Sequence, residues 1–260
     1  MKHLKQDICK FFNYAVFQAK SDLKTEVANS YLNWMWWILD PLFYMLVYTF
    51  VSAIVFRTTE PYFPIFVFIG QTVWSFFSKM VIQSVVIIRS NKHIITKVYV
   101  PKYILILSKV FVNGFKMCIS FLLIAILMLV YNVPLAFRIF LAVPITMNMV
   151  LITFGICTIV AHLGVFFEDL KHLTEVMLQF LFYFTGIFYD IEKRIPQPFG
   201  NLLIYFNPIA YHIYALRNVC LYGERIDVLP IIIWFVIGIL CGLLGIRNIY
   251  KYENTYVKII

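Results

Sequence analysis

Asp40, just before Pro41, and Lys79 stand inside stretches otherwise apolar enough to cross a membrane. Charge at that depth is costly and usually faces protein or water, so each is a candidate for handling a polar cargo or ion. Capping, snorkelling or a structural pair accounts for each equally well. Gln71, Ser75, Ser78, Lys79 and Gln83 share one broad helical face, a stripe that either lines an aqueous path or packs on neighbouring helices. Tyr44, Tyr48 and Trp74 lie deep in the same stretches, where aromatic faces either offer sliding surfaces to sugar rings or pack against protein and lipid.

Covalent and acid–base chemistry finds no foothold. The chain has no Gly-x-x-x-x-Gly-Lys-Ser/Thr loop for nucleotide phosphates, no His-Glu-x-x-His and no Gly-x-Ser-x-Gly. Asp190 and Glu192 are close together, but Lys193 and Arg194 follow at once, which reads as a neutralised turn. Cys9, Cys118, Cys157, Cys220 and Cys241 are scattered, odd in number and without metal-ligand spacing, so they read as reduced and structural. No catalytic residue, metal site or cofactor is expected in this chain.

The elements that position these residues follow from composition. Of 260 residues, 62% are hydrophobic and 13% charged, with a mean hydropathy of +0.83, which places the chain among all-α polytopic membrane proteins. The net charge of +9 sits in segments flanking apolar runs, which speaks for membrane orientation and against nucleic acid. No cleavable leader is expected, because more than thirty residues precede the first span.

Residues 1–34 form an N-terminal unit in which Leu4, Ile8, Phe11, Phe12, Ala15, Ala19, Leu23, Val27 and Tyr31 recur at helical spacing against a lysine-rich remainder. That pattern predicts an amphipathic helix at the membrane interface, or a cytoplasmic helix packed on a neighbour. Residues 35–260 then hold six spans, at 35–56, 62–88, 103–131, 139–166, 173–189 and 228–249, each near the ~20 residues that cross a bilayer. Trp34, Trp36 and Trp37 head the first as an interfacial belt. Between the fifth and sixth, residues 190–227 are too apolar for a free loop and are broken at Pro196, Pro198 and Pro208, which predicts re-entrant half-helices shielded by protein. Gly238 and Gly242 predict close packing of the last span on a helix that the motif does not identify.

Orientation rests on residues 89–103, where Arg89, Lys92, Lys97 and Lys102 stand without acids between two spans. Such a loop is held on the cytoplasmic side, which puts both termini there too and leaves most Lys and Arg on inward segments. About two turns of helix are expected in it, with Ile94, Ile95, Val98 and Tyr99 near one face and Pro101 closing it. A basic amphipathic helix there either meets a partner or merely obeys the charge bias.

Several segments together carry a resemblance. They are Asp22-Leu23-Lys24-Thr25 with Ser30-Tyr31-Leu32 and Trp36-Trp37-Ile38-Leu39-Asp40-Pro41-Leu42; Lys97-Val98-Tyr99-Val100-Pro101-Lys102; Phe167, Asp169 and Leu170; Gly186-Ile187-Phe188-Tyr189, Asn207-Pro208 and Arg217; and Tyr252, Glu253 and Tyr256. In this order they resemble the ABC type-2 permeases that export polysaccharides, teichoic acids and O-antigens, over nearly the whole chain. Departures are Glu26-Val27-Ala28 for a basic, aromatic pair, Asn33 for a usual Gly, Glu168 for a common Arg, and Thr185-Gly186 for a common Ser-Pro.

The resemblance implies a bacterial plasma (inner) membrane protein in which two copies enclose a channel for a lipid-linked glycan, among membrane lipids. Two separate ATPase subunits, holding the ATP and Mg, would dock from below. It implies coupling through Lys92, Ile95, Lys97, Val98, Tyr99, Pro101, Lys102 and Asp169, and a path lined by Asp40, Tyr44, Tyr48, Trp74, Lys79 and Phe184. The outer gate would be Gly186, Phe188, Tyr189, Asn207 and Pro208. A permease of the same frame for a small drug or lipid, an ion-coupled transporter using Asp40 and Lys79, and a membrane-embedded transferase are the alternatives.

Overall fold

The computed structural model describes residues 2–28, 31–54, 60–134 and 136–259; Ser30 and Phe56, the expected end of the first span, lie outside them. Every regular element among the described residues is helical. In order they are α1 (Lys2–Ala28), α2 (Trp36–Ile54), α3 (Phe63–Ser90), α4 (Lys92–Ile95), α5 (Lys102–Val130), α6 (Ala142–Phe166), α7 (Leu170–Phe184), α8 (Ile191–Arg194), α9 (Phe199–Phe206), α10 (Pro208–Arg217), α11 (Val228–Lys251) and α12 (Glu253–Ile259). Five helical stretches among the described residues are long and apolar enough to cross a membrane: Asn33–Val51, Phe63–Ser90, Lys102–Val130, Phe137–Phe166 and Val228–Lys251. The expected fifth span, 173–189, is instead α7, whose 15 residues rise only about 22 Å against a hydrocarbon core of about 30 Å. The chain leaves the helix at Thr185, and Gly186 at φ +65° turns it back before Tyr189.

α3 is the axis of the bundle. Its side chains are buried nearly all round, including Phe66, Phe68, Ile69, Val73 and Met80, because α2, α5, α6, α7 and α10 all pack on it. α2 is peripheral, with Phe43, Tyr44, Leu46, Val47 and Phe50 all more than half exposed. Gly238 and Gly242 do have a partner within the chain. A Cβ on Gly155 of α6 would lie 2.6 Å from the Gly238 carbonyl oxygen, so these glycines let α6 and α11 touch backbone to backbone. Asn148 adds a hydrogen bond to the Ile231 carbonyl at 2.9 Å.

α1 lies along α5. Ala15 and Ala19 are buried there, and the Phe12 and Phe111 rings meet edge-on at 5.6 Å. Asp22 pairs with Lys109 at 2.6 Å and Glu26 with Lys116 at 2.6 Å, which gives two lysines inside a span their counterions. Asp22 and Glu26 are one turn apart on α1 and Lys109 and Lys116 two turns apart on α5, so a single face of each helix carries both pairs. Replacing Asp22 by Leu strands a half-buried Lys109, and a loss of about 2 kcal/mol is expected in thermal denaturation of the detergent-solubilised protein.

Residues 190–227 fold as a helical hairpin. α9 runs to the turn at Asn207–Pro208, and α10 returns, started by the Asn207 side chain, which accepts from the Ile209 and Ala210 amides at 3.0 and 3.4 Å. The turn lines a cavity with Trp74 and Phe77 of α3 and Leu178 of α7, residues from the interiors of those helices. The broken sequence thus folds as two short helices whose joining turn packs against α3 and α7.

Candidate functional site

Between α2, α3, α5 and α7 lies a cavity of about 340 Å³. α2 supplies Trp36, Trp37, Asp40, Tyr44 and Tyr48; α3 supplies Gln71, Thr72, Trp74, Ser75, Ser78 and Lys79; α5 supplies Asn113, Lys116 and Ser120; α7 supplies Phe182. The intramembrane charges Asp40 and Lys79 therefore share one space, and they do so without forming an ion pair with each other. Gln83 leaves the stripe: its side-chain oxygen accepts from Asn113 at 2.8 Å, and it does not reach the cavity. Gln71 Oε1, Thr72 Oγ1 and Asn113 Oδ1 are buried in the cavity walls without a hydrogen-bond partner among the described residues.

The aromatic residues form a connected set. Tyr44 and Tyr48 stack at 6.2 Å, Tyr48 meets Phe188 at 4.6 Å, and Phe182 touches Phe188 at 5.1 Å and Trp74 at 5.6 Å. The ring that α7 turns into the cavity is thus Phe182, not Phe184. Phe184 is half exposed and absent from the lining, because two positions along a helix are about 200° apart.

The expected gate residues occupy two levels. Gly186, Phe188 and Tyr189 close over the end of α7, where the Tyr189 hydroxyl donates to the Tyr183 carbonyl at 2.6 Å. Asn207 and Pro208 sit deeper, at the hairpin tip. Arg217, at the end of α10, holds the upper level in place. It is buried, lies 3.4 Å from the centroid of the Phe66 ring, and donates to the carbonyls of Phe66 at 3.0 Å, Gly186 at 2.7 Å and Ile187 at 2.7 Å. Beside it, Lys193 pairs with Glu60 at 2.7 Å and Asp190 at 3.6 Å, so the Asp190–Arg194 turn is neutralised as its sequence suggests. The hydrogen bond that Lys193 donates to the Glu60 carboxylate holds its ammonium above the usual lysine range.

At the opposite end, residues 89–103 bridge α3 and α5. α4 is one turn, extended by the Thr96 and Val98 amides, which donate to the Lys92 and Ile94 carbonyls at 3.0 and 2.9 Å. The apolar residues divide between two directions: Ile95 is buried in the bundle, whereas Val98 and Tyr99 are each 58% exposed. Lys92, Lys97 and Asp169 are exposed as well. Lys102 is different, being 4% exposed and paired with Glu253 of α12, so its charge is spent inside the chain. Pro101 opens α5. Glu168, of reversed sign to the residue common in the resembling permeases, forms a 3.2 Å pair with Arg89.

Set beside known proteins, the chain matches the family model described as ABC-2 type transporter over residues 18–221. The chain belongs to the ABC-2 type transporter family. Individual relatives extend the match over the whole chain. Two proteins named O-antigen export system permease protein RfbA, both of Klebsiella pneumoniae, are 26% identical over 99% of this chain and 98% of their own length. A third of that name, from Myxococcus xanthus, is 26% identical over 81% of each. The ABC-2 type match spans α2 to α10, and so includes the cavity, the basic loop and the hairpin.

Lys109, Asn113, Lys116 and Phe182 did not stand out in the sequence. Lys109, Asn113, Lys116 and Ser120 do recur every three or four residues through the third span, a polar stripe of the same kind as that of α3. It is the signal that would have found them.

Proposed function

We propose that this chain is the membrane-spanning subunit of an ATP-driven exporter that moves a lipid-linked polysaccharide of the O-antigen, capsule or teichoic-acid kind across the bacterial plasma membrane. The observation that carries the reading is the cavity. The stacked rings of Tyr44 and Tyr48, with Trp74 nearby, beside the accessible polar side chains of Gln71, Ser75, Ser78 and Lys79 suit a ligand with flat apolar sugar faces and many hydroxyls. An apolar drug makes no use of those polar groups. The names of the full-length relatives support the same class.

In this reading two copies associate through the exposed faces of α2 and α7, and each cavity becomes one wall of a shared path. Asp40, Lys79 and Phe182 then face the cargo, with Phe184 turned toward the second copy. Both termini are cytoplasmic. Two ATPase subunits, which carry the ATP and Mg, dock on Val98 and Tyr99 with Lys92, Lys97 and Asp169 around them, and the gate formed by Gly186, Phe188 and Tyr189 opens when the loop is pushed.

The test is deletion and complementation. The deletion strain is expected to lose surface polysaccharide and to accumulate the lipid-linked polymer inside, and the tagged chain to copurify with a Walker-type ATPase. Lys97→Glu with Tyr99→Ala is expected to lower that copurification by about tenfold; docking and export both left intact would sink the coupling assignment. Tyr48→Ala removes a stacking platform and is expected to slow export about fivefold at unchanged membrane abundance.

A further inference from the structure

The loop between α3 and α5 is fastened to the far side of the bundle at both ends. Arg89 donates to the Val165 carbonyl at 2.8 Å and pairs with Glu168, so the end of α3 is fixed to the end of α6. At the other end Glu253 takes both of the loop's last polar groups. One carboxylate oxygen pairs with buried Lys102, and the other accepts from the Tyr99 hydroxyl at 3.5 Å. Glu253 opens α12, which is itself anchored: Tyr256 is wholly buried, and its hydroxyl meets Nδ1 of His162 in α6 at 2.6 Å. Burial, with Glu253 nearby, pushes the Tyr256 phenol above its ordinary range, so the group stays a neutral hydroxyl.

We infer that Glu253 is a positioning residue for force transmission, tying the exposed Tyr99 and the root of α5 to α6 and α11 so that a push on the loop moves all four long helices together. The inference rests on the reading of residues 89–103 as the ATPase-docking surface. At the α3 end the loop already bears on α6, through Arg89 and the close approach of Val85 to Gly164; at the α5 end Glu253 joins Tyr99 and Lys102 to α12 and through it to α6. That joint resists opening, because separating Lys102 from Glu253 strands a charge in a low-dielectric place. Tyr99 reports the motion, and Glu253 passes it on.

The test uses the full chain with its ATPase, in cells lacking the native copy and as the purified complex in lipid nanodiscs. Glu253→Gln keeps the shape and removes the charge. The ATPase is expected to copurify and to hydrolyse ATP within about twofold of the unsubstituted complex, while surface polysaccharide delivered per ATP falls about tenfold. Exchanging the charges, with Lys102→Glu and Glu253→Lys together, is expected to restore delivery to within about threefold. Unchanged delivery per ATP in Glu253→Gln overturns the inference, as does an exchange that restores nothing. Parallel loss of copurification, hydrolysis and export, or failure of both variants to reach the membrane, makes the pair a folding element and overturns it too. If the unsubstituted chain copurifies with no ATPase, the broader reading fails instead.

Discussion

Replacing Arg217 by methionine is expected to be among the most damaging single changes in the chain, although the residue does not line the cavity between α2, α3, α5 and α7. Its guanidinium donates to three carbonyls, those of Phe66, Gly186 and Ile187, in hydrogen bonds that join α3, α10 and the turn after α7. Methionine restores the volume but none of the hydrogen bonds, and each abandoned buried carbonyl costs about 1 to 3 kcal/mol. Allowing for relaxation, the expected loss is about 4 kcal/mol. That corresponds to a fall of about 10 °C in the temperature at which the detergent-solubilised protein loses monodispersity. Lysine keeps the charge but lacks the planar fork and the stacking face over Phe66, and about half that loss is expected. Gly70→Ala gives an independent check, since its new Cβ would lie 2.7 Å from the Arg217 Nη2 and displace the same group. An Arg217→Met protein that melts with the unsubstituted one would refute the pinning role.

Gly164→Leu is expected to cost at least as much, for a steric reason. Even the Cβ of alanine at this position would stand 2.0 Å from the Val85 carbonyl oxygen and 2.8 Å from its carbon, so α3 and α6 must separate. Backbone cannot swing aside as a side chain does; alanine is expected to lose about 3 kcal/mol and leucine more, read as lost membrane yield and lowered thermal stability. The control is Gly114 in α5, where an added Cβ meets nothing within 4 Å. There alanine is expected to stabilise by up to about 1 kcal/mol, through helix propensity alone. Equal behaviour of the two variants would mean that α3 and α6 do not cross this tightly.

Sequence periodicity located the long helices well, because a run that must satisfy its backbone in lipid has few other options. It placed Asp40, Tyr44, Tyr48, Trp74 and Lys79 on the right helices, and the structure brings all five to one cavity. It ran the fifth span on to Tyr189, because an apolar run hides the point at which Gly186 ends the helix; Phe184, implied by the resemblance, lies outside the lining of this cavity, and Phe182 within it. It also put Ile94, Ile95, Val98 and Tyr99 near one face, when Ile95 is buried in the bundle and Val98 and Tyr99 are exposed. Local spacing carries no information about a partner 151 positions away such as Glu253, nor about the 3.4 Å contact between Arg217 and Phe66. Those contacts exist only once the helices have packed.

The acidic face of α1 has a consequence for the order in which the chain is made. Lys109 and Lys116 would each resist entry into lipid as the third span leaves the ribosome. Asp22 and Glu26 are synthesised well before them and pair with both in the folded chain. A chain begun after the N-terminal helix would carry its third span with two cations deprived of the counterions that they have here.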